Sequence, residues 1–124
     1  MLIDETAGSG GDLLPWMFRK YKLGTLVGKR TWGGLVGMLG FPELMDGGSV
    51  TAPDLAIWTP DEGFTVENVG VPPDVEVEQL PADVMAGKDP QLEKAIELIM
   101  KDLGPKPAKS PQRPAYPQRA KVGG

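Results

Sequence analysis

The stretch Thr6-Ala7-Gly8-Ser9-Gly10-Gly11-Asp12 decides how the rest of the chain is read. Before it, Met1-Leu2-Ile3-Asp4-Glu5 reads as the end of a strand. After it, Leu13, Leu14, Met17, Phe18 and Tyr21 recur at helical spacing and predict one buried face of a helix reaching about Tyr21 or Lys22. Pro15 suits a first helical turn, where backbone donors lack a helical partner, and Gly24 suits the stop. A small hydroxyl residue is therefore expected between a strand and a helix, flanked by glycines. Such a turn exposes a nucleophile, lets a substrate backbone approach, and offers helix N-terminal N–H groups to an oxyanion. An ordinary Gly/Ser turn with a helix cap explains the local pattern too, and is the commoner case. A phosphate loop fits less well, because Asp12 stands where the Walker pattern needs Lys.

Downstream, Thr25 to Thr31 is strand-like and Trp32-Gly33-Gly34 breaks it. Gly47-Gly48 reads as a turn. Short strands are expected at 49–52, 55–59 and 64–69, with Asp61-Glu62-Gly63 as a hairpin turn. Val75 and Val77 alternate with Glu76 and Glu78 as on an edge strand after the rigid Val71-Pro72-Pro73-Asp74 link. A second helix is predicted from Pro90 to Leu103, capped by Asp89, with Leu92, Ala95, Ile96, Ile99 and Leu103 as its stripe and Gly104-Pro105 ending it.

Apolar residues make up 40% of the 124, enough for one modest domain, while 17 Gly and 13 Pro point to many turns. The chain has no Cys, which excludes disulfides and thiolate chemistry. It also has no His, so no mechanism using imidazole is complete within it. No membrane span is present and no signal peptide is visible. Residues 1–103 carry eight basic and seventeen acidic side chains, net −9, which argues against a nucleic-acid surface. Residues 104–124 carry five basic side chains and five Pro, and are expected to form a disordered basic tail. Asp4, Glu5, Asp46, Asp61 and Glu62 lack metal-site spacing and are expected in solvated turns; no cofactor is implied. Arg30 and Trp32 are candidates for a cleft wall, with packing the commoner role. Pro111-Gln112-Arg113-Pro114 is a conceivable Pro-module ligand, with a solvated tail the commoner fate.

Residues 4–12, followed by Leu14-Pro15-Trp16-Met17-Phe18-Arg19, resemble the nucleophile segment of the tricorn protease family, within the superfamily of tail-specific or C-terminal processing peptidases. Val27-Gly28-Lys29-Arg30-Thr31-Trp32-Gly33-Gly34-Leu35-Val36-Gly37, Val66-Glu67-Asn68-Val69-Gly70-Val71-Pro72-Pro73-Asp74 and Gly87-Lys88-Asp89-Pro90-Gln91-Leu92 continue the likeness in order and spacing. The resemblance spans about 1–103 and implies an α/β fold, part of a β/α spiral domain of the ClpP and crotonase type. It implies a serine peptidase acting on oligopeptides through an acyl-enzyme. Ser9 would be the nucleophile, the backbone N–H of Gly10 one half of the oxyanion hole, and Glu67 the acid completing the charge network. The activating His, a serine beside it, the second oxyanion N–H and the residue setting substrate preference belong upstream in that family. The expected partners are therefore a peptide, an upstream part of the same polypeptide and further copies in a homo-oligomer. A cytoplasmic location is expected, with exported bacterial forms as the alternative. Related peptidases use a Ser–Lys dyad, but Gly34 holds the position of that Lys, and Lys29 lies before the motif. A non-catalytic interaction or assembly module is the rival reading, and an acyl-CoA-binding crotonase relative a third.

Overall fold

In a computed structural model, residues 1–40, 42–105 and 111–116 are described. The elements in chain order are β1 (Leu2–Ile3), α1 (Gly10–Lys20), β2 (Val27–Gly28), β3 (Trp58–Thr59), β4 (Gly63–Phe64), β5 (Val75–Glu76), α2 (Pro81–Met85) and α3 (Pro90–Leu103). β1, β2 and β5 form a parallel sheet in the order β1-β2-β5, with Leu2 opposite Val27 and Val27 opposite Val75. Parallel neighbours need a crossover, and α1 supplies the one between β1 and β2. The arrangement mixes helices and strands, as the sequence predicts, but the ladders are shorter than expected. Of residues 25–31 only Val27–Gly28 pairs as a strand, and residues 49–52 contribute one bridge, Ser49 to Glu43. The expected hairpin is present: Trp58 faces Phe64 and Thr59 faces Gly63. β5 lies at the sheet edge, with Val75 and Val77 half-buried and Glu76 and Glu78 exposed.

The core is small. Ile3, Leu26, Leu35, Val66 and Val71 cluster, and Leu13, Trp16, Phe18 and Ile57 pack against them. The predicted helix face is only partly buried. Leu13 and Phe18 reach the core, whereas Leu14, Met17 and Tyr21 are exposed and Asp12 and Pro15 are buried instead. Pro15 is the sixth residue of α1 rather than a first-turn residue. The stop is also different. Lys22, at φ 52, takes the left-handed position, and Leu23 N–H donates to Phe18 O while Lys22 N–H donates to Arg19 O. That is the paired bonding of a Schellman end, made here without Gly24. α3 begins as predicted: Asp89 Oδ1 accepts from Leu92 N–H at 2.9 Å. Its stripe is not a buried face, since Leu92, Ile96, Ile99 and Leu103 are all exposed. The predicted tail falls largely on 106–110 and 117–124, outside the described residues.

Gly28 shows how tightly the sheet is closed. Its φ is 129°, and a Cβ there would stand 2.0 Å from Ile3 O on the neighbouring strand. No rotamer change relieves a clash with backbone, so Gly28→Ala is expected to cost more than about 2 kcal/mol. Chemical denaturation with an unchanged midpoint would refute this packing.

Candidate active site

Ser9 sits at the joint between β1 and α1 with φ 53° and ψ −112°. For a residue with a Cβ this is strained backbone, the kind held at functional sites when surrounding bonds over-determine it. Those bonds are present. Ser9 N–H donates to Gly34 O at 2.9 Å, and Ser9 O accepts from the N–H groups of Asp12 and Leu13, each at 2.9 Å. The side chain is exposed and lines a cleft of about 440 Å³ together with Trp32, Gly34, Val36, Gly37, Met38, Glu67 and Asn68.

The helix end is less open than the sequence suggests. Gly11 N–H is taken by Gly8 O at 2.8 Å, which leaves Gly10 as the amide with no acceptor among the described residues. A Cβ at Gly10 would meet nothing within 4 Å, so the space beside this amide is free. Gly8 serves a different purpose. A Cβ there would lie 2.6 Å from the ring of Trp32, and one at Gly34 would lie 2.4 Å from it. The indole rests on two glycines, and 66% of Trp32 remains exposed at the cleft.

Glu67 is half-buried between two residues of positive φ, Val66 at 75° and Asn68 at 60°. A β-branched residue rarely adopts this conformation. Burial of the Val66 side chain in the core and the bonds from Val69 and Gly70 N–H to Val66 O hold it there. Glu67 Oε2 accepts from Leu35 N–H at 2.6 Å and Val36 N–H at 2.8 Å, while Oε1 has no partner among the described residues. The carboxylate is thus anchored by one oxygen with the other left over.

Asp12 lies in the first turn of α1 but makes no helix cap. Fully buried, it accepts from Gly33 N–H at 2.8 Å through Oδ1 and from Gly34 N–H at 3.0 Å through Oδ2. Arg30 binds the same loop from another side, donating to Thr31 O, Trp32 O and Val69 O. Lys29 is not among the residues lining the cleft and pairs instead with two carboxylates. Its Nζ lies 2.7 Å from both Glu76 and Glu78, and these partners raise its pKa well above the ordinary lysine range. A lysine whose pKa is raised stays an ammonium at neutral pH and is no base, which weighs against a Ser–Lys dyad. Asp4 closes its own turn, accepting from Thr6 N–H, Thr6 Oγ and Ala7 N–H. The Thr6 hydroxyl is the main cause of its lowered pKa. Among the described residues no group of three or more acidic side chains is placed to hold a metal.

The family model for Peptidase family S41 matches residues 1–77. The chain belongs to peptidase family S41. Within it, the tricorn protease of Thermoplasma acidophilum is 46% identical over 114 residues, 92% of this chain and 11% of the relative. Tricorn protease homolog 1 of Streptomyces coelicolor is 45% identical over 87% of this chain and 10% of its own. A crystal structure of the tricorn protease superimposes with a TM-score of 0.77 at 48% identity, covering 82% of this chain and 10% of that one. This S41 chain therefore spans about a tenth of the length of the relatives it matches. The tricorn resemblance carried by the four motifs is borne out.

What sequence reasoning misses is the backbone. Neither the left-handed Val66 nor the anchoring role of Asp12 has a local signal. Asn68 has one, since Asn tolerates positive φ better than most residues.

Proposed function

We propose that this S41 chain is the nucleophile-bearing part of a serine peptidase that cleaves oligopeptides, with a histidine supplied by an upstream part of the same polypeptide. The observation that carries it is Ser9, held in strained backbone over a cleft that also receives Glu67, beside the Gly10 amide, which has no acceptor among the described residues. In the proposed reaction Ser9 Oγ attacks the scissile carbonyl carbon as its proton passes to the histidine. The oxyanion is met by Gly10 N–H and a second upstream donor. The C–N bond then breaks, the imidazolium protonates the departing amine, and water hydrolyses the acyl-enzyme along the reverse proton path. Glu67 steadies the imidazolium. The absence of any His in the 124 residues and the tenth-length coverage of the relatives support placing that base elsewhere in the polypeptide.

On this reading residues 1–103 belong to a β/α spiral domain of the ClpP and crotonase type, and the assembled enzyme is a cytoplasmic homo-oligomer. A fluorophosphonate probe tests the mechanism: the polypeptide extended upstream should label at Ser9 and the isolated chain should not. The same lack of His is what a non-catalytic assembly module would show, and such a module would label in neither form.

Residues 104–124 are proposed to be dispensable for folding, because their Pro-rich, basic composition offers little to a core. Truncation after Leu103 should leave the melting temperature of the chain within about 2 °C. A large drop would make the tail part of the fold.

A further inference from the structure

We propose that Asp12 is a positioning residue whose carboxyl fixes the Gly33-Gly34 dipeptide, which in turn sets the nucleophile turn and the Glu67 loop relative to each other. This deepens the serine-peptidase reading and rests on it for the roles of Ser9 and Glu67.

The two glycines are a junction. Gly34 O accepts from Ser9 N–H at 2.9 Å, and Gly33 O accepts from Asn68 N–H at 2.7 Å. One carbonyl therefore holds the strained residue that would attack, and its neighbour holds the left-handed residue beside the acid. Ser9 needs such a bond most, because φ 53° with ψ −112° is strained for a residue with a Cβ, while Asn68 at φ 60° is of a type that tolerates the left-handed region and is fixed there by its bond. The dipeptide has no side chains with which to hold its own place. None can be added: a Cβ at Gly33 would lie 2.6 Å from Gly70 N, and one at Gly34 would enter the Trp32 ring. Its orientation falls to its two N–H groups, and both end on Asp12. Asp12 is 0% exposed and rides on α1 three residues after Ser9, so the helix that starts at the nucleophile also carries the clamp. The chain of bonds runs Asp12 to Gly34 to Ser9 on one side and Asp12 to Gly33 to Asn68 on the other. Arg30 ties Trp32 O to Val69 O independently, so loss of Asp12 loosens the junction without releasing the two loops entirely.

The test uses the enzyme extended to include its upstream part. Asp12→Asn preserves size but turns one acceptor into a donor facing a glycine N–H. Fluorophosphonate labelling and kcat should fall by on the order of a hundredfold, while KM moves by less than about threefold, because the loss is one of alignment. Amide hydrogen exchange gives a readout that a merely local role would not move. Exchange in Asp12→Asn should rise at Ser9 and Asn68 as well as at Gly33 and Gly34. Turnover within about threefold of the parent, or faster exchange confined to the two glycines, would overturn the proposal. If the variant does not fold, the parent decides: the amides of Ser9, Gly33, Gly34 and Asn68 should exchange as one unit, and protection differing by more than about a hundredfold among them would refute the junction. Ser9→Ala run beside it separates the two readings. Activity surviving that change would sink the serine mechanism and leave the exchange result standing on its own.

Discussion

Ser9→Ala in the upstream-extended polypeptide should reduce peptide turnover by on the order of 10⁵-fold and abolish fluorophosphonate labelling, with the fold intact. The alanine retains every backbone bond at the joint, since Gly34 O and the N–H groups of Asp12 and Leu13 engage only the main chain of residue 9. The Oγ alone is lost. Where nucleophile and base act as a unit, removing either costs nearly as much as removing both, so little residual rate is expected. The isolated chain should already lie near that floor. A serine hydroxyl is a poor nucleophile at neutral pH without a base in hydrogen-bond reach. The chain has no His, the resemblance puts Gly34 at the position of a dyad Lys, and Lys29 is engaged by Glu76 and Glu78. Efficient cleavage by the isolated chain would refute the external histidine. Survival of the extended enzyme after Ser9→Ala would refute the nucleophile.

The parts of this protein that are legible in its sequence are those dictated by short-range chemistry. Ser9 between glycines ahead of a helix, the Asp89 cap and the Asp61-Glu62-Gly63 turn all follow from what individual residues do to local backbone, and each is found at its expected place. The burial of the helices is not legible in this way, because periodicity specifies a stripe but not what covers it. Leu14, Met17 and, on α3, Leu92, Ile96, Ile99 and Leu103 are apolar and exposed among the described residues, so the pattern is present but its packing buries little of it. The site's internal wiring is illegible for another reason. Asp12 to Gly33 and Glu67 to Leu35 are contacts between side chains and backbone amides 21 and 32 residues away, and any acidic residue looks the same in sequence whether solvated or buried against N–H groups. Gly33 and Gly70 offer an indirect hint, because a backbone that must pass within van der Waals contact of another cannot carry a Cβ, and Gly34 another, because the Trp32 ring lies where its Cβ would be.

Glu67→Gln should lower kcat by between about a hundredfold and ten-thousandfold with little change in KM or stability. The geometry makes this substitution unusually clean. Glu67 Oε2 already accepts from Leu35 and Val36 N–H, and the amide oxygen of Gln can take over both bonds, so the anchor survives. What changes is the oxygen with no partner among the described residues, which becomes an NH₂ group. A neutral amide offers no charge to an imidazolium, and its donors oppose an imidazole N–H rather than accept from it. The loss therefore falls on the step in which the histidine becomes charged, a species absent when substrate merely binds. That is why kcat should move while KM stays. A carboxylate serving only to tether residues 35 and 36 would behave differently: Gln would preserve the tether, and turnover would be unchanged. Steady-state kinetics of Glu67→Gln beside a thermal melt distinguish the two, and unchanged turnover with an unchanged melt would reduce Glu67 to a loop anchor.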